Sequence, residues 1–250
     1  MKTVILAGGL GTRLSEYTEN IPKPMVRVCG KPLLEHIINI YSEYQYNEFI
    51  IALGYKGEEI KRYFMEFKFL NSDISINIKN GERKLLNAID NNWNISMIDT
   101  GLDSMTGGRL KRLGKYINDE RFFLTYGDGI GNINIDNLLD FHISHGKMVT
   151  VTAVRPVARF GEITMDGNSV KVFKEKPQVD QGWINGGFFV VEPEFLNLID
   201  NDSTVLEKDP IEKACAMGEL MAYKHYGIWQ CVDTKRDVES INTLFNKGKL

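Results

Sequence analysis

Thr3-Val4-Ile5-Leu6-Ala7-Gly8-Gly9-Leu10-Gly11-Thr12-Arg13 decides how the rest of the chain reads. Residues 3 to 7 form a short apolar run without alternation, the pattern of a strand covered on both faces. The run passes directly into glycines. Three glycines let the backbone approach a polyphosphate closely and aim successive N–H groups at its oxygens. Thr12 can add a hydroxyl and Arg13 a bidentate cation. No Gly-Lys-Ser/Thr follows, so this is not a Walker loop, and the third glycine does not open a helix as the dinucleotide fingerprint requires. Taken alone, the segment reads equally as a tight strand-to-loop turn.

Working outward, Pro32 suits the first turn of a helix whose apolar residues Leu33, Leu34, Ile37, Ile38 and Tyr41 share one face. Phe49–Leu53 predicts a second buried strand, and residues 57 to 67 a helix with Ile60, Phe64 and Phe67 inward. Leu110, Leu113 and Ile117 predict a third helix. Phe122–Tyr126 predicts a central strand ending at Gly127-Asp128-Gly129, followed by a helix over 136–144 and a strand over 148–154. This alternation predicts an α/β fold: a Rossmann-like, mostly parallel mixed sheet with helices on both faces. From about residue 160 the texture becomes β-rich. Glu162–Met165, Val170–Phe173 and Gly187–Val191 read as short strands, with Asp166-Gly167 as a turn. Helices near 209–217 and 235–246 follow. The expectation is one domain over residues 1–250, with a core at about 1–155 and a smaller β-rich extension at about 156–250.

The chain has 250 residues, 43% hydrophobic and 25% charged, enough for a sizeable core. A formal net charge of -3 gives no general attraction to nucleic acid or anionic membrane. Cys29, Cys215 and Cys231 lack metal-ligand spacing and read as reduced thiols of a cytoplasmic protein. No signal peptide is recognised, and no apolar stretch approaches the roughly 20 residues that span a bilayer.

Further motifs carry chemistry. In Ile21-Pro22-Lys23-Pro24-Met25 two prolines stiffen the backbone around an ammonium, which suits a phosphate ligand or a solvated loop lysine. Tyr126-Gly127-Asp128-Gly129 puts an acid at the carboxyl end of a buried strand, where ligands of open α/β sheets bind. Asp128 can hold Mg²⁺, which needs few protein ligands, or sit in a β-turn. Asp233, in Trp229-Gln230-Cys231-Val232-Asp233-Thr234, is a second candidate ligand or the cap of the next helix. Phe173-Lys174-Glu175-Lys176-Pro177 offers Lys176 to a sugar phosphate and Glu175 to sugar hydroxyls, or is a solvated turn. Ile184-Asn185-Gly186-Gly187-Phe188-Phe189 suits a pocket wall or a bulge.

Together and in this order, Gly8–Arg13, Lys23, Asp128, Glu175-Lys176-Pro177 and Asp233 resemble the sugar-phosphate nucleotidyltransferase family over essentially the whole chain. Asp99-Thr100-Gly101, Ser104 through Arg112, Arg159-Phe160-Gly161, Ile184–Phe189 and Asp233-Thr234 look like its glucose-1-phosphate cytidylyltransferase branch. The resemblance implies that CTP and α-D-glucose 1-phosphate give CDP-glucose and pyrophosphate, for deoxysugar or surface polysaccharide biosynthesis. It implies that Leu6, Ala7, Gly8, Gly9, Gly11, Thr12, Arg13 and Lys23 contact the nucleotide, with Met105, Thr106, Gly107 and Arg109 at base and ribose. Asp128 and Asp233 are the implied Mg²⁺ ligands. Gly161, Glu175, Lys176 and Asn185 are implied at the sugar phosphate, and Arg13, Lys23 and Asp128 are the implied catalytic set. The branch forms homo-oligomers, a hexamer among them. Neither nucleic acid nor membrane is an implied partner.

The chain departs from the branch at three places on or beside the sugar side. Leu206 stands where an aromatic residue is usual, Cys231-Val232 replaces a Pro-Met pair, and Glu162 replaces a small apolar residue. Two alternatives therefore stay open: a cytidylyltransferase for another sugar or polyol phosphate, and a non-catalytic sugar-nucleotide sensor on the same fold. The four histidines, His36, His142, His145 and His225, read as structural or surface residues. Tyr41, Tyr44 and Tyr46 suit an interface or the core.

Overall fold

In the computed structural model, which describes residues 1–11, 18–156, 162–166, 168–174 and 182–250, the opening apolar run is strand β1 (Lys2–Leu6), an interior strand of a seven-stranded sheet. The other strands are β2 (Glu48–Leu53), β3 (Asn94–Asp99), β4 (Phe122–Tyr126), β5 (Val149–Val154), β6 (Ile184–Val191) and β7 (Leu220–Lys224). Their spatial order is β7-β5-β6-β4-β1-β2-β3. β1 pairs in parallel with β2 and β4, and β3 extends the parallel half beyond β2. β6 alone runs antiparallel to both its neighbours, while β7 is parallel to β5. The helices are α1 (Leu33–Ser42), α2 (Gly57–Met65), α3 (Thr106–Ile117), α4 (Ile135–His145), α5 (Asp209–Ala216) and α6 (Lys235–Asn246).

The two-residue period of a strand explains why both faces of this sheet need cover. Ile5, Phe49, Ile51 and Phe123 face one way and pack with α1, α2 and α4. Val4, Leu6, Ile50, Ala52, Phe122 and Leu124 face the other way and pack with α3 and α5. Tyr41 is fully buried, its ring 5.3 Å from that of Phe123 and 5.9 Å from that of Phe188. Tyr46 packs edge-on to Phe123, so Tyr41 and Tyr46 belong to the core. A third cluster, with Val26, Val28, Ile130, Val232, Val238 and Ile241, seats α6 beside the segment that carries Lys23.

The structure adds to the sequence reading and corrects it at several points. The helix read over 57–67 ends at Met65, and a separate short turn spans Phe67–Leu70. Ile60 and Phe67 are buried as read, but Phe64 is only partly so. Tyr63 takes an inward place instead, its hydroxyl donating to the buried Glu35 carboxylate, which also pairs with Lys31 at 2.7 Å. Glu162–Asp166 and Ser169–Lys174 do pair as an antiparallel hairpin. Strand β6 begins at Ile184, earlier than read. Strands β3 and β7, the hairpin of Asp73–Ile76 with Arg83–Asn87, and Trp229–Cys231 were not legible from the pattern. Among the described residues no helix is long and apolar enough to cross a membrane.

The histidines are structural in position. His36 bonds the carbonyl of Val28, His142 lies fully buried between Thr150 and Glu192, and His225 bonds the carbonyl of Ile228. Burial is the first cause that lowers the pKa of all four, for His142 against the opposing pull of Glu192. A histidine whose folded pKa is depressed binds its proton more readily unfolded, so its contribution is full above the unfolded value of about 6.5 and is lost as pH falls toward the folded pKa. Thermal unfolding followed from about pH 7.5 to about pH 5 should therefore show a falling midpoint below about 6.5. His142→Gln should flatten that limb; a midpoint that rises on acidification would contradict the assignment.

Candidate active site

Parallel pairing of β1 with β4 aligns Leu6 with Tyr126. Gly8–Gly11 and Gly127–Gly129 therefore leave the sheet side by side at its carboxyl edge, where open α/β sheets bind ligands. Gly127 donates its N–H to the Leu6 carbonyl at 3.0 Å. A Cβ at Gly127 would stand 2.8 Å from Pro24 Cγ, so glycine there lets the proline segment close on the strand ends. That segment forms a single 3₁₀ turn over Lys23–Met25, with Pro24 and Met25 buried. The Lys23 backbone is thereby anchored, and its ammonium reaches the cleft.

Lys23 Nζ donates to Asp128 Oδ2 and to Asp233 Oδ1, both at 2.7 Å. Asp233 arrives by a separate route. Trp229–Cys231 pairs antiparallel with Gly129–Gly131, and Val232 N–H donates to the Asp128 carbonyl at 2.9 Å. The chain then enters α6, whose cap is Thr234, with Asp237 closing a capping box. The capping role read for Asp233 thus falls to its neighbour, and the Asp233 carboxylate faces Lys23. Burial by itself depresses the Lys23 ammonium, but the charge of Asp128 and the hydrogen bonds that Lys23 donates to both carboxylates outweigh it, so its pKa is raised. Lys23 is a fixed positive charge. Burial, helped by Asp128, pushes the adjacent Cys231 thiol up to about 12, so it is neutral.

Two clefts meet at Asp128 and Tyr126. The larger, ≈ 660 Å³, is lined by every described residue assigned to the nucleotide except Gly107: Leu6, Ala7, Gly8, Gly9, Gly11, Lys23, Met105, Thr106, Arg109 and Asp128, with Asp233 beside them. Gly107 faces elsewhere. Its N–H and that of Gly108 donate to the Thr204 carbonyl, and a Cβ on Gly108 would overlap the Asp202 backbone. These glycines dock the 202–204 loop on the start of α3. Arg109 lines the cleft mainly as a brace. Its guanidinium donates to the carbonyls of Leu53, Gly101 and Leu102 and to Thr100 Oγ1, and a Cβ on Gly8 or Gly54 would overlap it.

The smaller cleft, ≈ 290 Å³, holds Asn185 with Tyr126, Glu207, Trp229 and Cys231. Asn185 Nδ2 donates to the Tyr126 hydroxyl at 3.4 Å. Thr106 Oγ1 donates to Glu207 Oε2 at 2.8 Å and accepts from Leu206 N–H at 2.9 Å, which joins the two clefts. Burial and the nearby Glu207 carboxylate raise the Tyr126 pKa, so the phenol keeps its proton. Leu206 itself is fully buried among α3 and α5, so this departure changes the core and not a pocket wall. Thr12, Arg13, Gly161, Glu175 and Lys176 lie outside the described residues. Tyr126, Glu207 and Trp229 receive no site role from the sequence, and Cys231 stands out there only as a departure from the branch on or beside the sugar side. For the last two, strand alternation was the available signal, since Trp229, Cys231 and Asp233 share one side of an extended segment.

Two carboxylates converging on one ammonium mark a place built for positive charge. Asp128 and Asp233 have side chains 31% and 18% exposed, so each retains access from the cleft. Their oxygens suit a hard divalent cation, with Lys23 as its stand-in. Cys231 lies with them, all three donor atoms within 4.8 Å of one another.

A family model for nucleotidyl transferases matches residues 2–246, and the chain belongs to that family. Over its full 250 residues it is 47% identical to glucose-1-phosphate cytidylyltransferase of Salmonella typhi, covering 97% of that protein. It is 42% identical to the probable glucose-1-phosphate cytidylyltransferase of Bacillus subtilis, covering 98%. Among solved structures, HddC from Yersinia pseudotuberculosis shares the fold, with a TM-score of 0.72 at 23% identity over 98% of this chain and 99% of that one.

Arg109 ties the part-buried carbonyls of Gly101 and Leu102 to the end of β2 and fills the space between Gly8 and Gly54, so its loss unpairs those two carbonyls and leaves a cavity. Arg109→Ala should cost about 2–4 kcal/mol of stability. Arg109→Lys should recover little, because an ammonium cannot reproduce the planar fork. Chemical denaturation measures both, and a loss under about 0.5 kcal/mol for Arg109→Ala would assign the residue to ligand contact alone.

Proposed function

We propose that the chain is a cytidylyltransferase, joining CMP from CTP to α-D-glucose 1-phosphate and releasing pyrophosphate. The observation that carries the reading is the Lys23–Asp128–Asp233 cluster at the junction of two clefts of unequal size. The named activity of the full-length relatives supports the choice of substrates. The larger cleft takes the nucleotide and the smaller takes the sugar, so the α-phosphate lies beside Asp128.

The reaction is an in-line displacement. An ionised oxygen of the sugar phosphate attacks the α-phosphorus of CTP, the new P–O bond forms, and the bond to pyrophosphate breaks. No general base is needed, because the nucleophile is already an anion; catalysis reduces to positioning and charge neutralisation. A divalent cation, Mg²⁺ in this reading, would be held by Asp128 and Asp233 and would supply charge neutralisation where the two substrates meet. Lys23, freed of the carboxylates, would offer its ammonium to the triphosphate. Gly8, Gly9 and Gly11 present backbone N–H groups to the same oxygens, and Arg13, by its place in the motif, balances the leaving pyrophosphate. Lys176 neutralises the sugar phosphate, and Glu175 and Asn185 read hydroxyls.

Leu206 sits in the core, and Cys231 is the one departure that the described residues place at the acceptor cleft. This favours glucose 1-phosphate over another ring or a polyol. Mixing the protein with CTP, Mg²⁺ and a panel of sugar and polyol phosphates should release pyrophosphate fastest with glucose 1-phosphate. Asp128→Asn should lower kcat/KM by about a hundredfold or more, and CTP should exceed UTP by at least about tenfold. Another acceptor preferred by about a hundredfold would replace the sugar and keep the chemistry. No pyrophosphate with any pairing would point to a sensor.

A further inference from the structure

Beside the two carboxylates stands a donor that the proposed reaction leaves idle. Cys231 and Asp233 are two residues apart on one extended segment and so project to the same side. The segment is fixed by pairing Cys231 with Gly129 and by the Val232-to-Asp128 backbone bond, which sets both side chains against Asp128. Sγ and the carboxylate oxygens lie within 4.8 Å of one another. Ligand atoms around a tetrahedral zinc are about 3.5 Å apart, given metal–ligand distances of about 2.0–2.3 Å. The present spacing surrounds an ammonium, with Lys23 Nζ 2.7 Å from each acid. A smaller, doubly charged ion in its place draws the same donors inward.

Donor chemistry separates the ions that can use this cluster. Mg²⁺ takes oxygen ligands and has no use for a thiol. Zn²⁺ and Cd²⁺ take thiolate together with carboxylate, and three protein donors with one open position is a familiar zinc arrangement. We propose that Asp128, Cys231 and Asp233 form a mixed thiolate–carboxylate site for thiophilic divalent cations, overlapping the position of the hard cation. Binding exchanges the S–H bond for a sulfur–metal bond, the proton leaves to solvent, and Lys23 gives up both carboxylates. An ion held this way displaces Mg²⁺ and blocks the junction of the two clefts, so zinc-group ions inhibit at the catalytic centre. The inference rests on the metal site proposed above and adds a third ligand to it.

The test uses the full chain carrying Cys29→Ser and Cys215→Ser, because both of those thiols are exposed and would bind metal on their own account. Cd²⁺ is titrated while the ultraviolet sulfur-to-cadmium charge-transfer band is recorded, and Mg²⁺ affinity is measured calorimetrically on the same preparation. The band should saturate at one Cd²⁺ per chain. Adding Cys231→Ser should abolish it and weaken Cd²⁺ binding by at least about tenfold, as loss of a ligand-shell group does, while Mg²⁺ affinity stays within about threefold. Cys231→Ala should behave as Cys231→Ser, and Asp128→Asn should weaken both ions. No charge-transfer band with Cys231 intact, or undiminished Cd²⁺ affinity in both Cys231 variants, overturns the proposal. A cadmium band in a chain that binds no Mg²⁺ supports the thiol site and removes the hard-metal reading instead.

Discussion

Asp128 and Asp233 share a single ammonium, and that shared charge governs how the active edge of this molecule is arranged. The three residues are 105 and 210 positions apart in sequence, yet Lys23 lies 2.7 Å from both acids. Two partly buried carboxylates side by side repel, and removing the cation between them leaves uncompensated charge. Each partner is therefore held from outside the cluster: Asp128 by the end of β4, Asp233 by the Trp229–Cys231 ladder and the Thr234 cap, Lys23 by a proline-flanked turn. The same pair of acids suits a divalent metal, so in the proposed reaction one geometry would serve an ammonium before loading and a metal after it.

The sheet is the rigid base for this arrangement. Its two faces are buried by separate hydrophobic clusters, and β1 contributes to both. Because β1 and β4 are neighbours in register, the glycine loop and Asp128 emerge together. Around them the glycines serve close packing as much as ligand approach. Gly8 and Gly54 leave room for the Arg109 guanidinium, and Gly107 and Gly108 leave room for the loop that carries Glu207 toward Thr106. That loop is how the wall of the larger cleft comes to touch the wall of the smaller one.

The central strands and α1 to α6 were legible from their sequence pattern, and most of the apolar residues of those strands, α1 and α3 are buried. Strand β3 was not, because it is the sheet edge with half-exposed, alternating residues, and β7 at the opposite edge is similar. Asp128 stood out through its glycine neighbours and Asp233 through its place just before a helix, whereas Glu207 is an isolated carboxylate that only tertiary contact brings to the site. Gly107 and Leu206 show the converse. Each sits in or beside a motif that suggests ligand contact, but each is spent on packing against a segment about a hundred residues away. A one-dimensional pattern reports how a residue fits its own element and does not report which distant loop it meets.

The claim that an ammonium and a metal compete for one pair of acids is tested most directly by metal binding without nucleotide. Calorimetric titration of Mg²⁺ into the wild-type protein and into Lys23→Met compares the two. Removing the competing ammonium should tighten Mg²⁺ binding by about tenfold or more, a gain of about 1.4 kcal/mol. Equal or weaker Mg²⁺ binding by Lys23→Met would contradict the account.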